Sequence, residues 1–125
     1  LNLKQVKFLP YMSSGELRDL IQRSHVIVSS SYVETFAVSV AEGMACGKPV
    51  VATISGGPED YVTPESGILI PSGDPEALAD ALRQSRADYE RYDPELIRQV
   101  CVERFSEQAI VNRLEQTYVR IRDRK

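Results

Sequence analysis

Short apolar runs alternate with amphipathic segments along most of this 125-residue chain. The runs predict four short strands, at Val6–Leu9, Val26–Ser29, Pro49–Ala52 and Gly67–Ile70. Longer segments with apolar residues at helical spacing separate most of these runs. The alternation predicts an α/β fold, with a Rossmann-like parallel sheet and flanking helices.

Two helices are predicted in the first half of the chain. Ser13 and Glu16 fit a capping box at the start of the first. Residues 36–46 are apolar nearly all round and are followed by Gly47, a residue type that commonly ends helices. This second segment is therefore predicted to be a buried helix.

Three further helices are predicted in the C-terminal half, where Asp74–Pro75, Asp93–Pro94 and Ser106 fit their first residues. The pattern thus predicts that residues 1–125 form a single partial domain, which ends in helices from about residue 93 to 125. The residues expected to face inward are Leu78, Leu82, Ser85, Tyr89, Ile97, Val100 or Cys101, Phe105, Ile110, Leu114, Tyr118 and Ile121.

Composition and charge narrow the class of protein. A hydrophobic content of 42% is ordinary for a chain that buries a core. The net charge of -3 and the pI near 5.2 give no basic field for a phosphate backbone. Nucleic acid is therefore not expected as a partner.

The cysteines and the histidine offer no metal site. Cys46 and Cys101 fall in predicted helices and match neither a disulfide framework nor spaced ligands, which fits a reducing cytoplasm. His25 has no second ligand nearby, so it is interpreted as structural and no metal is expected. We find no run long enough to span a membrane and no leader, and the N-terminus resembles a cut through a larger chain.

The loops after the strands carry the candidate chemistry, because parallel α/β sheets bind ligands beyond the carboxyl ends of their strands. Loop 29–36 contains Glu34 just before the predicted helix, and Glu42 lies within that helix. A helix entrance presents unpaired N–H groups and a positive dipole end, which suits a diphosphate.

Two interpretations of these acids are open. In the first, Glu34 is an acid favoured by the helix dipole and Glu42 is a partly exposed residue at a helix edge. In the second, both accept hydrogen bonds from sugar hydroxyls while the amides between them hold phosphate oxygens. Their separation, at most roughly 12 Å along a helix, would serve two sugar rings on opposite sides of a diphosphate.

Other polar and aromatic positions also have two interpretations. Gly56–Gly57 is either a tight turn or a place where the backbone approaches a sugar or phosphate. Ser29–Ser31 either donates to phosphate or forms a solvated loop. Four tyrosines are interpreted as packing residues with hydrated hydroxyls: Tyr61, Tyr89, Tyr92 and Tyr118.

An ordered series of residues resembles a known family. The series comprises Ser30, Glu34, Phe36, Glu42–Ala45, Gly47, Pro49–Ala52, Gly56–Gly57 and Gly67. It is similar to the donor-binding, C-terminal half of the retaining glycosyltransferases of family four, which have the GT-B fold. The likeness covers nearly the whole chain.

The resemblance implies a role for each matching position. Glu34 is the catalytic residue, which contacts the transferred sugar and stabilises positive charge at its anomeric carbon. Glu42 accepts hydrogen bonds from the ribose of the nucleotide. The residues implied to bind the donor sugar and diphosphate are Phe36, Ala37, Val38, Gly56 and Gly57, and those implied to border the base are Leu9 and Pro10.

The family also implies a reaction and its partners. The substrate is a nucleoside diphosphate sugar, a hexose-type sugar passes to an acceptor hydroxyl with retention, and the donor phosphate acts as base. No metal or other cofactor and no protein nucleophile is then expected. The acceptor is a glycan, a lipid or a small molecule, and a lipid acceptor would place the protein at a membrane surface. The alternative is a non-catalytic nucleotide-sugar-binding or assembly module.

Three departures from the family pattern bear on activity. Ala37 stands where Gly is usual, and its methyl group is expected to narrow the sugar pocket or shift its preference. His25 replaces a usual acid. The basic pair of the family, an Arg and a Lys, belongs to upstream βα units that this sequence lacks, as it lacks the acceptor-binding domain. The chain alone is therefore expected to be inactive, and its unpaired sheet edges favour dimerisation or exchange with another chain.

Overall fold

Three parallel strands form the centre of the computed structural model, which describes residues 5–124. They are β1 (Ile27–Ser29), β2 (Val50–Thr53) and β3 (Gly67–Ile70), in the order β1-β2-β3. Val51 pairs with Val28 on one side and with Ile68 on the other. The predicted α/β fold with a parallel sheet is confirmed.

Five α-helices lie within residues 5–124, and four of them start at the predicted caps, Ser13, Asp74, Asp93 and Ser106. Ser13 and Glu16 form the complete capping box. The Asp74 and Asp93 carboxylates accept hydrogen bonds from first-turn amides of their helices, with Pro in the first helical position. The helices are α1 (Ser14–Arg23), α2 (Val38–Ala45), α3 (Pro75–Ala87), α4 (Pro94–Phe105) and α5 (Glu107–Arg122), with single 3-10 turns at Pro58–Asp60 and Tyr89–Arg91.

The core lies on both faces of β2, whose side chains alternate between them. Val50 and Ala52 pack with Met44 of α2 and Ile97 of α4 on one face. Val51 packs on the other face, in a cluster that α3 covers. Both faces are fully buried, which explains why this strand is a continuous apolar run in the sequence.

The predicted strand at Val6–Leu9 is wrong. The segment has no strand structure, and Phe8 is 86% exposed. A strand needs a neighbour to accept its backbone hydrogen bonds, and the described sheet ends at β1. The apolar run alone therefore does not produce a strand here.

The predicted burial of the last helix is also wrong. Ile110, Leu114, Tyr118 and Ile121 are all exposed, and α5 has no buried residue. The helix packs mainly against α4, which leaves most of its apolar positions uncovered. Helical spacing of apolar residues predicts a helix correctly, but it does not supply the surface that would bury them.

Candidate functional site

The loops that follow β1 and β2 meet at the carboxyl edge of the sheet. The Glu34 N–H donates to the Ser55 carbonyl at 2.8 Å. A Cβ placed on Gly57 would lie 2.7 Å from the backbone N of Phe36, and one on Gly56 would lie 2.7 Å from the Glu34 carbonyl oxygen. The two glycines therefore allow one loop to lie directly against the other.

Glu34 is held in place by its own loop. Its side chain is half-buried, and the Ser31 hydroxyl donates to Glu34 Oε1 at 2.7 Å. None of the hydrogen bonds described for residues 5–124 uses the second oxygen, Oε2. One carboxylate oxygen thus fixes the side chain while the other is left to accept from a ligand.

The predicted helix start at Phe36 is too early, because Ala37 has a left-handed backbone. Ala37 has φ 65° and ψ 71° and lies at the N-cap of α2. Glycine adopts this conformation freely, whereas it costs a residue with a Cβ about 1 to 2 kcal/mol. The Ala37 side chain is 3% exposed and packs in the core cluster with Val40 and Met44. Its methyl group therefore lies in the core and not on a sugar-facing surface, contrary to the expectation from sequence.

The entrance of α2 is open to a ligand. No side chain caps the helix. The Val40 N–H donates to the Ala37 carbonyl at 3.0 Å, but no hydrogen bond described for residues 5–124 uses the amides of Val38 and Ser39. Val38 and Ser39 are exposed there, and Glu42 is exposed one turn further on. Val38 and Glu42 share one side of the helix because they are four residues apart. Glu34 and the amides of Val38 and Ser39 thus lie at the start of α2, where the dipole favours an anion, and Glu42 lies one turn further along the helix.

Tyr61 holds the backbone that leads into α2 through its hydroxyl group. The sequence does not indicate this contact. Its hydroxyl donates to the carbonyls of Phe36 at 2.6 Å and Ala37 at 3.0 Å. Its ring packs against Phe36 and Phe105 with centroids 5.4 and 5.1 Å away. The hydroxyl is therefore not hydrated, contrary to the prediction. Burial, with smaller contributions from Cys101 and Glu34, raises the pKa of Tyr61 to about 12.

Two amides of the turn that follows β2, those of Ser55 and Gly56, are already occupied. Glu59 accepts from the Gly56 N–H at 2.8 Å and from the Ser55 N–H at 3.2 Å. Hydrogen bonds from its own backbone N–H and from these two amides lower the pKa of the Glu59 carboxyl. A phosphate that used the Gly56 amide would have to displace this carboxylate.

The remaining predicted site residues have no described hydrogen bond to this edge. Leu9 and Pro10 are exposed, and the hydrogen bonds described for residues 5–124 include none from 6–12. Their place beside the base stays a prediction. Within the same part of the chain, no group of three or more His, Cys, Asp or Glu residues is arranged to hold a metal. No described helix is both long and apolar enough to cross a membrane.

Replacing Tyr61 with phenylalanine should destabilise the fold by about 1 to 2 kcal/mol, because two loop carbonyls lose their buried donor. The raised pKa adds a pH signature. Because the pKa of Tyr61 is higher in the folded state than in the unfolded state, the protonated phenol stabilises the fold. This contribution to the free energy of unfolding is complete below pH 10 and is lost as the pH rises towards 12. Urea unfolding at neutral pH and across this alkaline window would measure both effects.

Tyr118→Phe is the matched control for Tyr61→Phe, since Tyr118 is 69% exposed. The control should keep neutral-pH stability and the alkaline decline of the parent. Equal neutral-pH stability of the two variants would show that the Tyr61 hydroxyl does not support the loop.

Comparisons with known proteins show the family of this chain. The family model for glycosyl transferases group 1 matches residues 1–95. A D-inositol 3-phosphate glycosyltransferase of Streptomyces bingchenggensis is 37% identical over 84 residues, which are 66% of this chain and 18% of the relative. The protein of the same name from Corynebacterium diphtheriae is 40% identical over 81 residues, 64% of this chain and 19% of the relative. The chain therefore spans less than a fifth of the length of these relatives.

Two solved structures share the fold. Sucrose-phosphate synthase from Thermosynechococcus elongatus superimposes with a TM-score of 0.85 and 31% identity, covering 99% of this chain and 32% of that protein. Anabaena HepE in complex with UDP-glucose gives a TM-score of 0.81 and 25% identity, covering 93% of this chain and 32% of that protein. The likeness confirms that the α/β sheet is part of a GT-B fold. Since the family model covers most of its length, this chain belongs to the group 1 glycosyltransferases.

Proposed function

We propose that this chain forms part of the donor site of a retaining glycosyltransferase that moves a hexose-type sugar from a nucleoside diphosphate. The observation that carries the proposal is the position of Glu34, fixed by Ser31 immediately before the uncapped entrance of α2. The carboxylate and the free amides that follow it are complementary to a substrate that has a negative diphosphate and develops positive charge on its sugar. The amides suit the diphosphate, and the carboxylate suits the positive charge that develops on the sugar.

The proposed roles follow from what each group presents. Glu34 Oε2 accepts from the sugar and stabilises its anomeric carbon in the transition state. The amides of Val38 and Ser39 donate to diphosphate oxygens, and the exposed Glu42 carboxylate accepts from the ribose hydroxyls. The backbone carbonyls of Phe36 and Ala37 are bonded to Tyr61, which fixes the direction of the amides that follow them.

The donor phosphate itself is the proposed base toward the acceptor hydroxyl. In that reaction the protein positions the sugar and stabilises charge, and no side chain forms a covalent intermediate. A structural neighbour, HepE, is described in complex with UDP-glucose, which supports a uridine nucleotide as the first donor to test. The acceptor and the upstream basic residues of the family would come from outside this chain.

A purely binding, non-catalytic module is the second candidate. Its one hint in the sequence is Ala37 in the place of Gly. Because the Ala37 methyl group is buried in the core, the substitution does not obstruct the exposed entrance of α2. The structure therefore gives this alternative no specific observation in its favour, and turnover decides between the two.

Replacing Glu42 with alanine should weaken UDP binding by about 10- to 100-fold, the loss expected for a charged hydrogen bond. The residue is exposed and no hydrogen bond described for residues 5–124 involves its carboxylate, so the fold should be unaffected. Calorimetric titration with UDP measures the change. The matched control is Glu115→Ala, an exposed glutamate on α5.

Two results of the Glu42→Ala titration would contradict the ribose role of Glu42. If Glu42→Ala binds UDP as tightly as Glu115→Ala and the parent, the carboxylate does not hold the ribose. A change of the same size in both variants would indicate a general charge effect and would also remove the assignment.

A further inference from the structure

Thr53, the last residue of β2, is the only polar residue of that strand and is 2% exposed. It pairs with Ile70 of β3, whereas β1 ends one residue earlier, where Ser29 pairs with Ala52. Strand β2 therefore extends one residue beyond β1. The chain that leaves β1 has to find its hydrogen bonds outside the sheet.

The Thr53 hydroxyl supplies one of these bonds. It donates to the Ser31 carbonyl at 2.5 Å, and no backbone N–H described for residues 5–124 donates to that carbonyl. A buried hydroxyl needs a hydrogen-bond partner, and this one has its partner in the loop that carries Glu34. The Thr53 side chain thus joins the end of β2 to that loop.

Ser31 extends the connection to Glu34. Its carbonyl accepts from Thr53, and its hydroxyl donates to Glu34 Oε1 at 2.7 Å. The Thr53 carbonyl is connected as well, since it accepts from Ser55 Oγ at 3.1 Å, and the Ser55 carbonyl accepts from the Glu34 N–H at 2.8 Å. Both the side chain and the backbone of Glu34 are therefore linked to the end of β2.

We propose that Thr53 is a positioning residue for Glu34 in sugar transfer and that it acts through Ser31. This rests on the proposed function, because the position of Glu34 affects the reaction only if Glu34 is the catalytic carboxylate. A carboxylate that faces developing charge is most effective when its orientation is fixed before the reaction. Strand β2 is hydrogen-bonded on both sides, so a hydroxyl group on it is a fixed anchor.

The test uses a two-domain protein that contains this chain, with kcat for UDP-glucose and the Kd of UDP as readouts. Thr53→Val keeps the branched side chain and removes the hydroxyl, and it should lower kcat by about 10- to 100-fold, the range for a slightly misplaced group. The affinity for UDP should stay that of the parent, because in the proposed site UDP contacts other groups. Equal kcat in Thr53→Val and the parent would overturn the proposal.

Thr117→Val is the matched control. The Thr117 hydroxyl also donates to a backbone carbonyl, that of Arg113 at 2.8 Å, but it does so within α5. The control should keep both kcat and UDP affinity. A loss of kcat in Thr117→Val as large as that in Thr53→Val would show a general effect of the lost hydroxyl and would remove the positioning role.

Thr53→Ser separates the hydroxyl from the packing of the side chain. It keeps the donor and removes the methyl group, whereas Thr53→Val replaces the donor with a second methyl group. If the hydroxyl positions Glu34, Thr53→Ser should be the more active of the two variants. If Thr53 only fills space in the core, Thr53→Val should be the more active, and that order would contradict the proposal.

A double-mutant cycle shows whether Thr53 acts through Glu34. In the Glu34→Gln background, Thr53→Val should lower kcat much less than in the parent, because the carboxylate that it positions is already absent. An equal factor in both backgrounds would place the effect of Thr53 elsewhere and leave the proposed function intact. A kcat of Glu34→Gln equal to that of the parent would instead remove the proposed function, and the positioning role with it.

Ser31→Ala keeps the test decisive if Thr53→Val does not fold. Ser31 is half-buried, and its hydroxyl is the link between Thr53 and the Glu34 side chain. This variant should also lower kcat while it keeps the affinity for UDP. Unchanged kcat in Ser31→Ala would overturn the proposal, because no described hydrogen bond would then connect Thr53 with the catalytic carboxylate.

Discussion

Replacing Glu34 with glutamine should lower kcat by about 10²- to 10³-fold, the range for loss of one placed electrostatic group in a catalytic site. The amide is the same size, and its oxygen still accepts from the Ser31 hydroxyl, now 2.7 Å from Oε1. The loop should therefore keep its structure while the negative charge that we propose to face the anomeric carbon is lost. Binding of UDP should change little, because in the proposed site the diphosphate and the ribose contact other groups.

The measurement requires a two-domain protein in which this chain is joined to the upstream donor units and an acceptor domain. Transfer or hydrolysis is followed with UDP-, GDP- and ADP-sugars, and kcat is determined for the parent and the variant. Glu90→Gln, an exposed glutamate outside the site, is the matched control and should keep full activity. Turnover within a fewfold of the parent in Glu34→Gln would remove Glu34 from the catalytic role.

Capping side chains in the sequence predicted the starts of α1, α3, α4 and α5 correctly, whereas α2, which has no capping side chain, begins later than predicted. A capping side chain and the amides it satisfies lie within three residues of each other, so Ser13, Asp74 and Asp93 indicate helix starts without any tertiary contact. The Gly67–Ile70 strand was predicted with its exact bounds for a similar reason, because turn residues precede it and Pro71 follows it.

Features that depend on distant partners could not be predicted in this way. The apolar run at Val6–Leu9 has the composition of a strand, but pairing depends on a neighbour that the run does not specify. Tyr61 contacts a carbonyl 25 residues away, and no local pattern distinguishes its hydroxyl from a hydrated one. Residue identity alone also does not show that Glu59 occupies the turn amides.

The pair Glu34 and Glu42 shows what the family resemblance added. Acids near a helix entrance have an ordinary structural explanation, and their spacing alone left both interpretations open. The surrounding glycines now have a physical explanation. Gly43 lets α2 lie against β1, since an added Cβ would be 2.7 Å from Ile27 Cγ1, and Gly57 lets the two site loops touch. The motif thus carries packing requirements as well as the groups that we propose to bind the donor.

Replacing Gly57 with alanine should destabilise the fold by about 2 to 3 kcal/mol, the cost of inserting a methyl group where no space exists. The added Cβ would lie 2.7 Å from both the N and Cα atoms of Phe36 and 2.8 Å from its carbonyl carbon. These are backbone atoms, so no side-chain rotation relieves the contact. Gly57 has φ -109°, which alanine adopts readily. The penalty therefore comes from the contact and not from the dihedral angle.

Gly15→Ala makes the same chemical change where a Cβ has no neighbour within 4 Å. It lies in α1, where alanine is favoured over glycine by up to about 1 kcal/mol, so this control should be as stable as the parent or more so. Urea unfolding of both variants gives the comparison.

Because relief of the contact must move Phe36, and Glu34 is bonded to the same pair of loops, Gly57→Ala should also reduce UDP binding or turnover in the fraction of the protein that stays folded. Equal stability of the two variants would show that the loops can separate freely, and the close packing that positions Glu34 would then not be a requirement of the site.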